Sequence, residues 1–171
     1  SDYRLCSPVE IENEYRYRVR SWPDTTLEPT LGDWRREVET RLPPVDNPRT
    51  RQLAAELFDE AGSTRAFIGN ALEYFRTRSF FYTLQPPVLG DENVMDRFLF
   101  DSRRGFCEHY AYAFAVMARS VGIPARIVGG YLGGEINPVD RTVIVHQFDA
   151  HAWNEVWLEG EGWVRVDPTA A

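Results

Sequence analysis

The sequence predicts an α+β fold, with helices in the first part of the chain and consecutive strands in the last part. The helical patterns end near Gly122, and four strand-like runs follow, separated by turn signals such as "GGEINPVD" and "GEG". Short turns between strands favour antiparallel pairing. Apolar residues make up 43% of the 171 residues and aromatic residues 13%, which is enough for the core of a single domain over residues 1–171.

The first predicted element is a strand over residues 9–20, where apolar and charged residues alternate strictly. Such alternation is typical of a strand with one buried face and one solvated face. A proline-containing loop follows, through "SWPDTTLEPTLGDW" and "LPPVDNP". Together they form an N-terminal strand and proline-rich extension over residues 1–46.

Two amphipathic helices are predicted in a helical part that spans residues 47–100. An Asn-Pro pair at 47–48 predicts the start of the first helix, and Gly62 ends it. Ser63 or Thr64 then caps the second helix. "FFYTLQPP" predicts a short strand and "ENVMDRFLF" a helical turn or two.

A central helix over about residues 105–121 opens the last part of the chain, residues 101–169. Residues 110–118 are apolar on every side, which predicts burial all round. Gly122 and Pro124 end the helix in the usual order. The predicted strands after it are "ARIVGGYL", "RTVIVHQF", "AHAWNEVWLE" and "GWVRVDP".

Charge and composition argue against several functional classes. The formal net charge is −7 at pH 7 and no run of basic residues stands out, so nothing in the sequence supports nucleic-acid binding. There is no stretch of about 20 apolar residues that would span a membrane, and no signal peptide opens the chain. Because it begins mid-pattern and stops at "VDPTAA", we expect a segment of a longer protein. All nineteen cationic residues are arginine, so the chain offers no lysine amine to an acyl group, although codon usage also accounts for this.

Cys107 lies where the central helix begins, within "RRGFCEHYAYAFAVMA". A helix N-terminus favours the thiolate, which is the nucleophilic form of cysteine. We expect Gly105 to permit close approach of a substrate carbonyl, with the backbone N–H groups of Phe106 and Cys107 directed at a developing oxyanion. By position alone, a structural buried cysteine or a disulfide with Cys6 is the alternative.

His151 and Asp167 are the candidates for a base and its orienting acid. His109 is about 200° round the helix from Cys107 and is therefore expected to be structural. His151 begins one strand in "DAHAW", and Asp167 closes the next in "WVRVDPT". If "GEG" is a hairpin turn, Asp167 faces His151 across the pair and accepts its second ring proton. A structural strand histidine and a turn aspartate before Pro168 remain the alternatives.

Zinc binding is the competing use of these side chains. No CxxC motif is present, and Cys107 and His109 diverge at i and i+2 of a helix. A set made of Cys107, His146 and His151 has irregular spacing, with the two histidines on opposite faces. No DxDxDG-like loop indicates a calcium site. We therefore expect neither a metal nor a cofactor.

Three blocks of the sequence resemble the transglutaminase-like core, a branch of the papain-like thiol enzymes: "GFCEHYAYAFAVMARSVGIPARIVGGY", "DAHAWNEVW" and "GWVRVDPT". They occur in the same order and cover roughly residues 101–169. The upstream "FFYTLQPP" and "VMDRFLF" resemble a bacterial membrane-anchored subgroup. The resemblance implies a papain/transglutaminase-like core in which a helix with a reactive N-terminus packs on an antiparallel sheet.

The resemblance also implies a function for this domain. Cys107 matches the nucleophile, His151 the general base and Asp167 the orienting acid of an acyl transfer from protein or peptide glutamine to a primary amine or water. It implies a periplasmic domain of a bacterial inner-membrane protein, anchored by flanking transmembrane helices. Tyr82 and Gln85 are candidates for the oxyanion partner, or are simply packed strand residues. A thiol protease or amidase with the same triad, and a non-catalytic module that binds peptide or cell-wall polymer, remain the alternatives.

Overall fold

The protein is described from a computed structural model, which covers residues 10, 18, 20, 22, 25–44 and 46–170. The strand predicted over residues 9–20 lies outside the described residues apart from isolated positions, and so does Cys6. No helix of the described part is long and apolar enough to cross a membrane.

Five α-helices occur in the described part of the chain: α1 (Asp33–Thr40), α2 (Pro48–Ala61), α3 (Thr64–Thr77), α4 (Val94–Asp96) and α5 (Cys107–Ser120). A π-helical stretch, Arg97–Ser102, continues directly from α4. The helical turns predicted in "ENVMDRFLF" and the central helix are therefore present. Helix α1 was not predicted, because it lies inside the expected proline-rich extension. This helix docks through Glu39, a buried carboxylate that accepts a hydrogen bond from Arg119 of α5 at 3.3 Å.

The start of α2 is capped differently from the prediction. Asn47 lies at the cap position but makes no side-chain capping bond; instead its Oδ1 accepts from the backbone N–H groups of Met95 and Asp96. The carboxylate of Asp96 takes over the cap and accepts from the backbone N–H groups of Arg49 and Thr50 at 3.0 and 2.7 Å. The two segments thus exchange caps, which satisfies the free donors at the start of α2 and fixes α4 against it.

The strands of the described residues form three separate sheets. The two short ones are a parallel pair, β1 (Phe81–Tyr82) with β2 (Arg104–Gly105), and an antiparallel pair, β4 (Glu135–Ile136) with β5 (Val143–Ile144). The main sheet is antiparallel, in the order β3-β6-β7, and consists of β3 (Ala125–Tyr131), β6 (Ala150–Leu158) and β7 (Gly162–Val166). The α+β class and the antiparallel pairing of the predicted strands are confirmed.

The strand prediction for "RTVIVHQF" is wrong over most of its length. Only Val143–Ile144 forms a strand, outside the main sheet, and residues Gln147–Asp149 form a 3₁₀ turn. The apolar residues of this run are not covered by the core, since Val143 and Val145 are 61% and 46% exposed. This short apolar run belongs to the exposed β4–β5 hairpin rather than to a core strand.

The helix α5 packs on one face of the main sheet and contributes more buried residues than any other described element. Phe114 and Met117 are completely buried, as is Val156 of β6. Burying a side chain of this size contributes about 1.5–3 kcal/mol. Asn154 of β6, also fully buried, donates its side-chain amide to the Ala111 carbonyl at 2.9 Å. This packing holds the start of α5 beside the start of β6.

Candidate active site

Cys107 is the first residue of α5 and lines a cavity of about 530 Å³ between the start of the helix and the start of β6. Its side chain is 7% exposed and carries a free thiol. We call this space the Cys107 cavity; its wall also includes Tyr82, Phe106, Gly130, Phe148 and His151. The predicted nucleophile and the predicted base therefore open onto one space.

His151 and Asp167 are directly hydrogen-bonded. His151 Nε2 lies 2.8 Å from Asp167 Oδ2, and the two side chains are 11% and 12% exposed. The pair is diagonal rather than directly opposite, because the register that joins Asn154 to Val166 places Asp167 beside Trp153. With Nε2 held by the carboxylate, Nδ1 is the nitrogen left to serve a reacting group.

Thr169 donates two further hydrogen bonds to the carboxylate of Asp167. Its hydroxyl donates to Asp167 Oδ1 at 2.6 Å, and its backbone N–H donates to the same oxygen at 3.2 Å. Burial alone would raise the pKa of Asp167, but the hydrogen bonds from Thr169 and His151 outweigh it and lower that pKa. The carboxyl is therefore ionised at neutral pH and ready to stabilise an imidazolium.

The indole of Trp153 limits the movement of the His151 ring. The two rings stack with centroids 6.3 Å apart, and the Arg165 guanidinium lies 4.3 Å above the indole. Arg165 also donates to Asp167 Oδ2 at 3.3 Å. A Cβ at Gly130 would come within 2.7 Å of the indole, so only glycine lets Trp153 lie across β3.

Tyr82 lines the same cavity as Cys107, and the two groups lie close enough for Cys107 to affect the pKa of the phenol. Burial, and then the adjacent Cys107, raises the pKa of the phenol, so Tyr82 is a neutral donor at neutral pH. Tyr82 lies near Cys107 because it pairs with Gly105 in the parallel β1–β2 sheet, although Tyr82 and Cys107 are far apart in sequence.

The expected roles of Gly105 and of the Phe106 N–H group are corrected by the structure. A Cβ at Gly105 would lie 2.8 Å from His109 and 2.9 Å from Phe98, so packing rather than substrate approach requires glycine. The Phe106 N–H donates to His109 Nδ1 at 3.4 Å and is already used. His109 is thus a local cap of α5, and burial lowers its pKa.

The remaining candidate residues from the sequence, Gln85 and His146, do not line the Cys107 cavity. Gln85 is exposed and its backbone N–H bonds Thr83, away from the Cys107 cavity. The His146 ring stacks on Phe148 at 4.7 Å, in the turn before β6. Among the described residues, no three His, Cys, Asp or Glu side chains are grouped to hold a metal ion.

Sequence reasoning missed the roles of Thr169 and Arg165. A threonine two residues after an aspartate, as in "DPT", is a signal for such a side-chain bond. The stacking of Arg165 on Trp153 left no comparable pattern in the sequence.

A helix that begins with a cysteine and packs on an antiparallel sheet with a His–Asp pair is the arrangement of the papain-like proteins. Within that class, the profile of the transglutaminase-like superfamily matches residues 51–168, and the chain belongs to this superfamily. The predicted family and core fold are thereby confirmed.

Several relatives extend this assignment. The chain is 46% identical to the protein-glutamine gamma-glutamyltransferase of Pseudomonas aeruginosa over 99% of its own length and 25% of that protein. It is 32% identical to the uncharacterized protein YebA of Bacillus subtilis, over 95% of the chain and 22% of the relative. The crystal structure of the periplasmic domain of TgpA from Pseudomonas aeruginosa superposes with a TM-score of 0.84 at 46% identity, covering 87% of this chain and 51% of that one. The chain therefore spans about a quarter of the length of its curated relatives.

Proposed function

We propose that this domain transfers acyl groups from glutamine side chains to primary amines, with Cys107 as the nucleophile, His151 as the base and Asp167 as its partner. The observation that carries the proposal is the 2.8 Å contact of His151 with Asp167 at the wall of the cavity that Cys107 lines. The relative that is 46% identical over nearly the whole chain is a protein-glutamine gamma-glutamyltransferase, which supports the same reaction here.

In the first half of the reaction, His151 Nδ1 takes the proton of the Cys107 thiol as sulfur attacks the carboxamide carbon of glutamine. The imidazolium returns this proton to the amide nitrogen, the C–N bond breaks and ammonia leaves a thioester. In the second half a neutral amine attacks the thioester and gives a proton to His151. The C–S bond breaks, and the proton passes to the sulfur. General acid–base catalysis of this kind contributes roughly 10²–10⁴-fold.

Two groups are placed to stabilise the oxyanion that forms on the carbonyl. They are the Cys107 backbone N–H and the Tyr82 hydroxyl, since both residues line the same cavity. Preorganised donors of this kind act where charge develops. Tyr82, one of the two oxyanion candidates from the sequence, is therefore the one we propose.

Incubation with a labelled primary amine and a glutamine-containing protein tests the proposal. We expect wild-type protein to incorporate the label and release ammonia, and Cys107→Ala to do neither. The chain itself has no lysine, so self-crosslinking does not obscure the result. Ammonia release without incorporation would indicate deamidation instead, and cleavage of the peptide chain would indicate a thiol protease. Thiol titration measures the reactivity of Cys107 directly. If Cys107 does not react, only the non-catalytic module that binds peptide or cell-wall polymer remains.

We further propose that the domain faces the bacterial periplasm in a protein anchored to the inner membrane. The support is the likeness to the periplasmic domain of TgpA. A reporter enzyme that is active only outside the cytoplasm, fused after residue 171 of the full-length protein, tests this. Reporter activity confined to the cytoplasm would contradict it.

A further inference from the structure

Arg165 contacts the candidate site from outside the Cys107 cavity. Its guanidinium lies 4.3 Å above the indole of Trp153, and one of its nitrogens donates to Asp167 Oδ2 at 3.3 Å. The same oxygen lies 2.8 Å from His151 Nε2, and the His151 ring stacks on Trp153. The four side chains therefore form a closed cycle of contacts, which we call the Arg165 cluster. Neither Arg165 nor Trp153 lines the Cys107 cavity.

The register of the main sheet explains why Arg165 bonds Asp167. Arg126 of β3, Glu155 of β6 and Arg165 of β7 lie in one row across the sheet. Glu155 is the cross-strand neighbour of both arginines, but its Oε2 accepts hydrogen bonds from Arg126 at 2.8 and 2.6 Å. Arg165 instead donates to Asp167, two positions further along its own chain. The carboxylate that competes for Arg165 is thus paired with another arginine.

The shape of the guanidinium suits this place. It is planar, so one face stacks on an indole while the N–H groups at its edge donate to a carboxylate. An ammonium is a compact charge with neither a plane nor a fork of donors. The charge itself contributes less, because the Arg165 side chain is 46% exposed and water screens it. Shape rather than charge is therefore what Arg165 supplies.

Resting on the proposed function, we propose that Arg165 is a positioning residue for the acyl transfer, whose planar guanidinium holds Trp153 and Asp167 against the His151 imidazole. Trp153 covers one face of the imidazole and Asp167 fixes Nε2, so both restraints on the ring are in contact with Arg165. A ring held in this way keeps Nδ1 available to the reacting groups. Misplacement of a base by a distant change lowers the rate of reaction without weakening substrate binding.

Steady-state kinetics of ammonia release measure this role. Arg165→Ala removes the stack and the hydrogen bond, and should lower kcat about tenfold, the combined size of one exposed ion pair and one cation–π contact. KM for the glutamine donor should stay unchanged, because Arg165 does not line the Cys107 cavity. Arg165→Lys keeps the charge and a long stem but not the plane, and should remain nearly as slow as Arg165→Ala.

Chemical rescue separates the plane from the charge in a second way. Because the Arg165 side chain is 46% exposed, the space left by its removal is open to small solutes. Guanidinium chloride at millimolar concentration, far below that which unfolds proteins, should raise the kcat of Arg165→Ala. Potassium chloride at the same concentration should not, and wild-type protein should respond equally to the two salts.

Arg126→Ala is the matched control. Arg126 makes the same kind of stack, 4.1 Å above the Trp163 indole, and the same kind of ion pair, with Glu155. Neither partner belongs to the Arg165 cluster. Loss of Arg126 should lower the midpoint of thermal unfolding and leave kcat unchanged. A purely structural role of Arg165 would give this same pattern for Arg165→Ala.

The outcomes distinguish the positioning role from the catalytic function on which it rests. If wild-type protein releases no ammonia from glutamine, both are overturned. If wild-type protein is active and Arg165→Ala keeps its kcat, only the positioning role is overturned. The same holds if Arg165→Lys is as fast as wild type, because charge alone would then suffice. If Arg165→Ala raises KM for the donor and leaves kcat unchanged, Arg165 binds substrate and the positioning role is wrong. Should Arg165→Ala fail to fold, Arg165→Lys, which keeps the stem, decides between these results.

Discussion

Replacing Thr169 by valine removes one hydroxyl and keeps the shape of the side chain. The hydroxyl donates to Asp167 Oδ1 at 2.6 Å, and a hydrogen bond to a charged group contributes about 1.5–3 kcal/mol. The backbone N–H of Thr169 remains at 3.2 Å from the same oxygen, so we expect a loss near the lower limit, about 1.5 kcal/mol of unfolding free energy.

The effect must depend on pH with a defined sign. Hydrogen bonding lowers the pKa of Asp167 in the folded protein, so its contribution to stability is complete above the ordinary aspartate range. It is lost as pH falls through the lowered folded value. Thr169→Val should therefore be less stable than wild type at neutral pH, and the difference should shrink in acid.

Urea unfolding at neutral and acidic pH measures this difference, and the matched control is Thr169→Ser, which keeps the hydroxyl. We expect the serine variant to stay close to wild type. A Thr169→Val variant with wild-type stability at neutral pH, or a loss that is the same at every pH, would refute the assigned role of the hydroxyl.

Three other substitutions examine separate parts of the structure. Asp167→Asn keeps the fold but misdirects the His151 ring, and should lower the acylation rate, followed as ammonia release, by about 10⁴-fold; a rate within tenfold of wild type contradicts the pairing. Tyr82→Phe removes the proposed oxyanion donor and should lower kcat about 10²-fold with little change in KM for the donor, which steady-state assays resolve; an unchanged kcat would exclude the phenol. Asp96→Ala leaves two backbone N–H groups of α2 without partners and should cost about 3 kcal/mol by chemical denaturation. Asp96→Asn, which keeps one acceptor oxygen, should lose less, and equal losses would contradict the capping role.

Local patterns in the sequence were sufficient for the central helix. Its apolar run together with Gly122 and Pro124 defined α5 to within two residues at its start and one at its end. Tyr112 is the exception to complete burial, at 41% exposed, because it borders a surface cavity of about 430 Å³ instead of the core. The strands β6 and β7 were equally clear, since a tight turn joins them.

Features that depend on distant partners were not predictable. The cap of α2 comes from Asp96, about fifty residues away, and a local pattern that pointed to Asn47 cannot indicate this. Tyr82 reaches Cys107 only because β1 pairs with β2 in parallel. The "RTVIVHQF" run contains the apolar residues typical of a strand, but whether they are buried depends on the main sheet, which does not cover them.

The candidate site was also predictable only in part. The sequence predicted the residue types of a Cys-His-Asp set and the order of the elements that carry them, and the His151–Asp167 contact agrees with this prediction. Their catalytic roles stay predictions. The diagonal register of the pair and the stacking of Arg165 on Trp153 follow from tertiary packing at the end of β7, which no single motif encodes. The Thr169–Asp167 bond is local, and the "DPT" sequence is a signal for it.

The coupling of the Cys107 thiol to the His151 imidazole is tested most directly by alkylation kinetics. The second-order rate constant with iodoacetamide should be measured across the pH range for wild type and His151→Gln. We predict that the wild-type thiol reacts faster than the thiol of the variant and with a different dependence on pH, because the imidazole accepts its proton. Superimposable pH profiles for the two proteins would contradict the coupling and, with it, the proposed acyl transfer.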